Sequence, residues 1–325
     1  MKRTPIRKFF IRGFFFSIPF LLYGLTLLLI DPFNYFFAST PLISNDVKQQ
    51  TSGRIHYAIW KTNTFRRNFC ANILFGDSRT DQLDVCSIQA VSGQPYFGLA
   101  MGGGTIPEVC ALFDFAMERA RCERVSLERV YIGLNFDIYT PAAAQNRVLD
   151  ARIIMDNPLL YGCNYNVIRA AWVNVAVTYF GASPAVERPP MTREAFWQYQ
   201  LDVSLMAHCR HYRYPTDYHA QLVRVCDECR THGIRLAFII LPTHVDLQQR
   251  LSDMGLDADR QRFREDLAAL ATVYDFDYPN DLTSPPENFS DPFHAGPVVR
   301  ETVIREVWGD PTERRFVRVY GKPEF

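Results

Sequence analysis

The sequence has no surplus of charge of either sign: Lys plus Arg equals Asp plus Glu, at 35 each over 325 residues. Binding to a nucleic-acid backbone draws on a basic surplus, so nucleic acid is not an expected partner. No stretch has a disordered composition, and hydrophobic residues at 48% suffice for one large core or two small ones. The eight cysteines do not fall at good metal-binding spacings either. Cys226 and Cys229 form a C-x-x-C, but they sit inside "HAQLVRVCDECRTHG", which reads as an amphipathic helix ending at Gly233. Cys209 and His211 are too loosely spaced from them for a zinc site. Structural cysteines, no metal and no cofactor are expected.

Charge is missing altogether from one segment. Lys2, Arg3, Arg7, Lys8 and Arg12 are followed by "GFFFSIPFLLYGLTLLLI" (13–30), which is uncharged throughout. At about 1.5 Å per helical residue, that run and its apolar neighbours can cross a hydrocarbon layer of about 30 Å. No small-x-small cleavage site follows closely. Instead "DPFNYFF" brings Phe33, Tyr35, Phe36 and Phe37, rings of the kind found at headgroup level. The expectation is a basic cytoplasmic segment (1–12), an uncleaved membrane-spanning helix (13–31), a juxtamembrane linker (32–69) and an exported remainder. In an oxidising compartment some of Cys70, Cys86, Cys110, Cys122, Cys163, Cys209, Cys226 and Cys229 can pair, with a connectivity that spacing leaves open.

The remainder alternates short apolar runs with helical patterns. "NILF" (72–75), "PYFGLA" (95–100), "RVYIGL" (129–134), "RLAFIIL" (235–241) and "VYDFDY" (273–278) read as strands buried on both faces. Helical candidates between and after them imply a five-stranded parallel sheet with helices on both sides, a three-layer α/β/α architecture. The segment 140–217 is too long for a simple connection and reads as an inserted cap. Its "RAAWVNVAVTYFGA" is too short for a second span, with Arg169 at its start. The tail, 309–325, carries no assignable element.

Ligands collect beyond the carboxyl ends of parallel strands, and the polar residues that need explaining lie there. Ser78 follows the first strand, Gly102-Gly103-Gly104 the second, Asn135 the third, Thr243-His244 the fourth, and Asp291 with His294 the fifth. A serine hydroxyl needs a base to activate it and a third group to orient the base. Asp291 and His294, three apart on a proline-containing turn, can supply both. Backbone N–H groups of Ser78 and Gly103 and the Asn135 amide are candidate donors to an oxyanion. Singly, each residue has a plainer reading. Ser78 can cap a helix, the glycines can make a tight turn, and Asn135 can satisfy local backbone. Asp77 reads as a structural turn residue. Arg79 can bind an anionic substrate group or pair with an acid such as Asp81, and His244 can line the pocket or be a plain loop histidine.

"FGDSR" around Ser78, "GLAMGGGT", "GLNFD" around Asn135 and "SDPFH" resemble, in order, the four blocks of the SGNH (GDSL-type) hydrolase superfamily. The resemblance spans about residues 70–308 and implies an SGNH/flavodoxin-like fold, a Ser78–His294–Asp291 triad and an oxyanion hole. One block departs from the pattern: where G-x-N-D is usual, Phe136 follows Asn135 and the aspartate, Asp137, comes one place later. The anchor and "DPFNYF" are similar to bacterial membrane-anchored members that handle envelope acyl groups.

Together these readings imply an extracytoplasmic serine esterase or O-acyltransferase working through an acyl-serine. Its substrate would be an acyl ester, such as acetyl, on a cell-envelope polysaccharide, with a membrane acyltransferase as a candidate partner. Two other readings remain: a non-catalytic assembly factor that keeps the fold, and a lipid or thioester hydrolase. The topology is directly testable. A C-terminal reporter is expected to be active only outside the cytoplasm, and the mature chain to keep its N-terminus; a processed protein starting after Thr40 refutes the anchor.

Overall fold

The computed structural model describes residues 4–36, 42–143, 145–184 and 191–323. Lys2, Arg3, Phe37 and most of "SPAVERPP" lie outside them. In chain order, α1 (Thr4–Ile30), α2 (Asn45–Ile55) and α3 (Tyr57–Arg67) precede β1 (Asn72–Gly76). Then come α4 (Ser78–Asp81), α5 (Val85–Ser92), β2 (Phe97–Ala100), α6 (Ile106–Glu123) and β3 (Arg129–Gly133). A helical stretch follows: α7 (Arg147–Asp156), α8 (Pro158–Cys163), α9 (Tyr165–Phe180), α10 (Arg193–Tyr199) and α11 (Leu205–Cys209). The alternation resumes with α12 (Thr216–Thr231), β4 (Arg235–Ile240), α13 (Val245–Asp253), α14 (Asp257–Ala268) and β5 (Thr272–Asp275). The chain closes with β6 (Phe289–Asp291), β7 (His294–Ala295), α15 (Pro297–Trp308) and β8 (Arg318–Gly321). Two compact units emerge, one from residues 1–67 with 150–188 and one from 68–149 with 189–325.

The larger unit is built on a six-stranded sheet in the order β2-β1-β3-β4-β5-β8. The first five strands are parallel, as their apolar runs imply, and the order reverses direction between β1 and β3. Register places Leu74 beside Tyr131, Tyr131 beside Ala237, and Ile239 beside Tyr274. These side chains share one face and pack with Ile88 of α5 and Val303, Val307 and Trp308 of α15. With a period of two, Phe75 points the other way, where its ring meets Phe113 of α6 edge-on at 6.2 Å. The α6 helix in turn packs on α12. Helices therefore cover both faces, and burying a side chain such as Phe75 contributes about 1.5–3 kcal/mol.

The sixth strand corrects the expectation of five and gives the unassigned tail a place. β8 runs antiparallel to β5, pairing Val273 with Tyr320 and Asp275 with Arg318. Tyr320 Oη donates to Asp275 Oδ2 at 2.9 Å, and Thr272 Oγ1 to the Lys322 carbonyl at 2.8 Å. Such an edge strand, short and carrying Arg318, lacks the continuous apolar run of a central strand.

The smaller unit is helical. In α1, the segment Arg7–Ile30 contains an 18-residue window of mean hydropathy 2.1 and is long and apolar enough to cross a membrane. The span 32–69, expected as a linker, instead holds α2 and α3. The α2 helix packs on α9, and Ser52 Oγ accepts from Asn174 Nδ2 at 3.1 Å. Thr51 hydrogen-bonds Asn174 across that contact. The aromatics after α1 pack within this unit. Phe33 is buried, and Tyr35 stacks on Tyr161 at 4.2 Å while donating to the Met155 carbonyl at 2.7 Å. The segment 140–217, expected as one cap, is divided: 150–188 belongs to this unit, and 140–149 and 189–217 belong to the larger one.

All eight cysteines are unpaired. Burial pushes the thiols of Cys110, Cys209 and Cys226 up to about 12, which leaves them unreactive packing groups. Cys226 and Cys229 are buried on α12, a helix as expected, not a redox turn.

Two glycines let the carboxyl ends of β1 and β3 close on Thr80. A Cβ on Gly133 would lie 1.9 Å from Thr80 Oγ1, and one on Gly76 would lie 2.2 Å from it and 2.7 Å from the Gly133 carbonyl. Gly133→Ala is expected to cost ~1–3 kcal/mol through this overlap. Thr80→Ala in the same chain should restore part of the loss, giving a coupling of ~0.5–3 kcal/mol in a double-mutant unfolding cycle. Strict additivity would show that the overlap is relieved elsewhere.

Candidate active site

The carboxyl end of β1 turns at Gly76, whose φ of +151° belongs to glycine. Asp77 then caps α4: its carboxylate accepts from the Arg79 N–H at 2.9 Å. That settles the plainer reading of Ser78. The cap is one residue earlier, and the Ser78 hydroxyl is directed elsewhere. Its Oγ lies 2.8 Å from His294 Nε2. Because α4 is only four residues long, the helix-dipole assistance expected at Ser78 is small.

His294 opens β7 directly opposite Asp291, the last residue of β6, so a hairpin holds the pair. Nδ1 of His294 lies 2.8 Å from Asp291 Oδ2 and 3.0 Å from Oδ1. The same carboxylate accepts from the Phe293 and His294 N–H groups at 2.9 and 3.1 Å. Burial alone would raise the Asp291 carboxyl. The hydrogen bond and charge of His294, with the two backbone donors, outweigh it and hold the pKa below the ordinary value. A proton on Nδ1 facing the carboxylate leaves the Nε2 lone pair for the Ser78 hydroxyl.

The glycine loop after β2 abuts this turn. A Cβ on Gly104 would lie 2.6 Å from the Gly76 carbonyl and 3.3 Å from Asp77 Cα, so only glycine fits. Gly104 donates its N–H to the Met101 carbonyl, whereas the N–H groups of Gly102 and Gly103 have no backbone acceptor among the described residues. Gly103 has φ +62° and open space around it. The loop is braced from outside by a pair that escaped the sequence reading. Arg147 grips the buried Glu108 at 2.8 Å and donates to the Gly102 and Gly103 carbonyls at 3.0 and 3.2 Å. Glu108 is also three residues after Thr105 and accepts its N–H at 3.2 Å. That T-x-x-E spacing is a capping-box signal visible in the sequence.

Asn135, at the end of β3, is buried and reaches across to β4. Its Nδ2 donates to the Leu241 carbonyl at 2.7 Å, leaving one N–H of the amide uncommitted. Asn135 therefore does not merely satisfy local backbone.

Two sequence-level candidates are corrected. Arg79 is only 5% exposed, and its guanidinium is committed to two buried carboxylates. Its Nε donates to Asp77 Oδ2 at 2.7 Å, and its two terminal nitrogens fork onto Asp137 at 2.8 and 3.1 Å. Burial alone would lower the guanidinium pKa, but Asp137 and Asp77 more than reverse this and raise it. The aspartate displaced by one place from the G-x-N-D pattern is thus the one that clamps Arg79. His244 is also structural. Nδ1 caps α13 by accepting from the Asp246 N–H at 3.1 Å, and Nε2 lies 3.0 Å from the Ser284 carbonyl. Both ring nitrogens are engaged, and the ring packs edge-on against Trp197 and Phe289. Its backbone N–H holds the Pro292 carbonyl at 2.9 Å, inside the turn that carries Asp291 and His294.

Among the described residues, no cluster of His, Cys, Asp and Glu has the geometry to hold a metal ion. No family model matches the chain, and no curated protein matches it.

The Asp77–Arg79–Asp137 cluster makes a sharp prediction. Removing one partner from a buried ion cluster leaves an uncompensated charge, so Asp137→Ala is expected to lower unfolding stability by ~3–5 kcal/mol. Arg79→Lys should also destabilise, because an ammonium cannot fork onto Asp137 and still reach Asp77. A loss below ~1 kcal/mol in Asp137→Ala, the range of exposed pairs, would show that the cluster is not the brace described.

Proposed function

We propose that this protein is a serine esterase or O-acyltransferase of SGNH type, with Ser78 as nucleophile, His294 as base and Asp291 as its orienting acid. The observation that carries the reading is the unbroken chain Ser78 Oγ–His294 Nε2–His294 Nδ1–Asp291, at 2.8 Å for each link. The strand order 2-1-3-4-5 supports the flavodoxin-like fold, and Ser78 and Asn135 follow the two strands between which that order reverses.

In this mechanism Ser78 Oγ attacks the ester carbonyl as its proton passes to His294 Nε2. The imidazolium formed is stabilised by Asp291, which its neighbours keep ionised. Negative charge on the carbonyl oxygen is received by the N–H of Ser78, the N–H of Gly103 and the free N–H of the Asn135 amide. His294 returns the proton to the leaving alkoxide, and an acyl-serine remains. Water entering next gives hydrolysis; a sugar hydroxyl gives transfer. With α1 as a membrane anchor and the larger unit outside the cytoplasm, the substrate we assign is an acyl ester on a cell-envelope polysaccharide. That assignment rests on the resemblance of the four blocks and on the apolar helix, with the membrane acyltransferase as candidate partner.

A fluorophosphonate is expected to add one covalent mass to the intact protein, on Ser78. Ser78→Ala should abolish labelling and lower ester turnover by roughly 10⁶-fold, Asp291→Asn by about 10⁴-fold and Asn135→Ala by about 10²–10³-fold. A folded Ser78→Ala protein with undiminished esterase activity would end the nucleophile assignment.

A further inference from the structure

We propose that α9 lies in the headgroup layer of the bilayer beside α1, with a lipid acyl chain filling the groove between the two helices. The proposal rests on the reading of α1 as a membrane-spanning helix and adds a second point of contact with the same surface.

Four observations carry it. The first is composition: α9, "YNVIRAAWVNVAVTYF", has a single charged residue, Arg169. The second is its outward stripe. Tyr165, Trp172 and Tyr179 recur every seven residues, so they share one face, and they are 72%, 72% and 57% exposed. Phe180 at the end of α9 and Leu159 and Leu160 on α8 extend this face, all exposed. Large apolar faces on a protein in water mark contact surfaces, and Tyr and Trp are the side chains that favour the boundary between hydrocarbon and water.

The third observation is position. The last turns of α1 pack against α9, and Tyr23 Oη hydrogen-bonds the Gly162 carbonyl in the last turn of α8. At about 1.5 Å per residue, Arg7–Ile30 extends about 36 Å against a hydrocarbon layer of about 30 Å. Tyr23–Ile30 is thus the final part of the span, at the outer edge of the hydrocarbon, and whatever packs on it sits at that depth. The fourth is the groove itself, about 330 Å³, lined by Tyr23, Leu27 and Ile30 of α1 and Ile168, Trp172 and Val175 of α9. Its walls offer water almost no hydrogen-bond partners, while the methylenes of an acyl chain match them. The continuity of this groove with α1 selects lipid over a soluble partner.

Trp172 is both part of the groove and a fluorescent reporter. The full-length protein would be reconstituted into phosphatidylcholine vesicles carrying a nitroxide either near the headgroup or near the chain terminus. The Trp172 contribution is read as the difference between the native protein and Trp172→Phe. The expected result is quenching severalfold stronger by the shallow nitroxide than by the deep one. Retention of the protein after alkaline carbonate extraction is scored in parallel. If the protein is retained and Trp172 is quenched by neither label, the lipid contact is overturned while the anchor stands; protection of Trp172 that grows with protein density would assign the face to a second copy and overturn it likewise. Release by carbonate overturns the anchor and the lipid contact together.

Discussion

The architecture of the candidate site depends on one buried cation. Arg79 sits directly after Ser78 with almost no access to water, a placement that would be prohibitive for a lone guanidinium. Asp77 from the same turn and Asp137 from the loop after β3 make it tenable, and in doing so they tie two strand ends together. A planar fork matches a carboxylate in one orientation only, so the pairing sets direction as well as distance. The turn bearing Ser78 is thereby referenced to the loop bearing Asn135. An apolar pair of similar volume would fill the space without fixing that angle.

From this brace the remaining ties run outward in sequence around the sheet edge. Gly104 presses on Gly76 and Asp77, joining the loop after β2 to that after β1. Asn135 reaches the Leu241 carbonyl, joining β3 to β4. His244 holds the Pro292 carbonyl, joining the loop after β4 to the hairpin of Asp291 and His294. The Asn135 and His244 links engage buried carbonyls, so at these two the same hydrogen bond both positions the chain and satisfies a polar group. Arg147 and Glu108 repeat the device for the glycine loop, with a cation held by an acid and turned onto carbonyls.

How much of this was legible follows from which residues interact locally. β1 to β5 are buried on both faces, which leaves unbroken apolar runs such as "RLAFIIL" in the sequence. β8 has an exposed edge and exists because β5 is there to pair with it, a tertiary cause that leaves no local pattern. Ser78, Asn135, Asp291 and His294 could be picked out because each closes or follows its own strand or hairpin. Arg79 could not be placed, since its decisive partner is 58 residues away in sequence. The plainer reading of Ser78 as a cap misses by one position, the cap being Asp77, because Ser and Asp are both favoured at that site. His244 combines a cap with a bond to a carbonyl 40 residues on, and only the fold brings the two together.

The smaller unit is assembled from two stretches of chain with three strands of the larger one written between them. Thr51 and Asn174, which meet across the α2–α9 contact, are 123 residues apart. Closing a loop of that length costs on the order of 4 kcal/mol of chain entropy beyond a constant, and contacts of such separation form late. During synthesis, α1 and α2 are made well before α9 exists to receive them. The apolar helix α1 is therefore made ahead of its packing partner. Folding of this unit becomes a closing event, waiting on the arrival of residues 165–180, and not a seed from which the rest of the molecule grows.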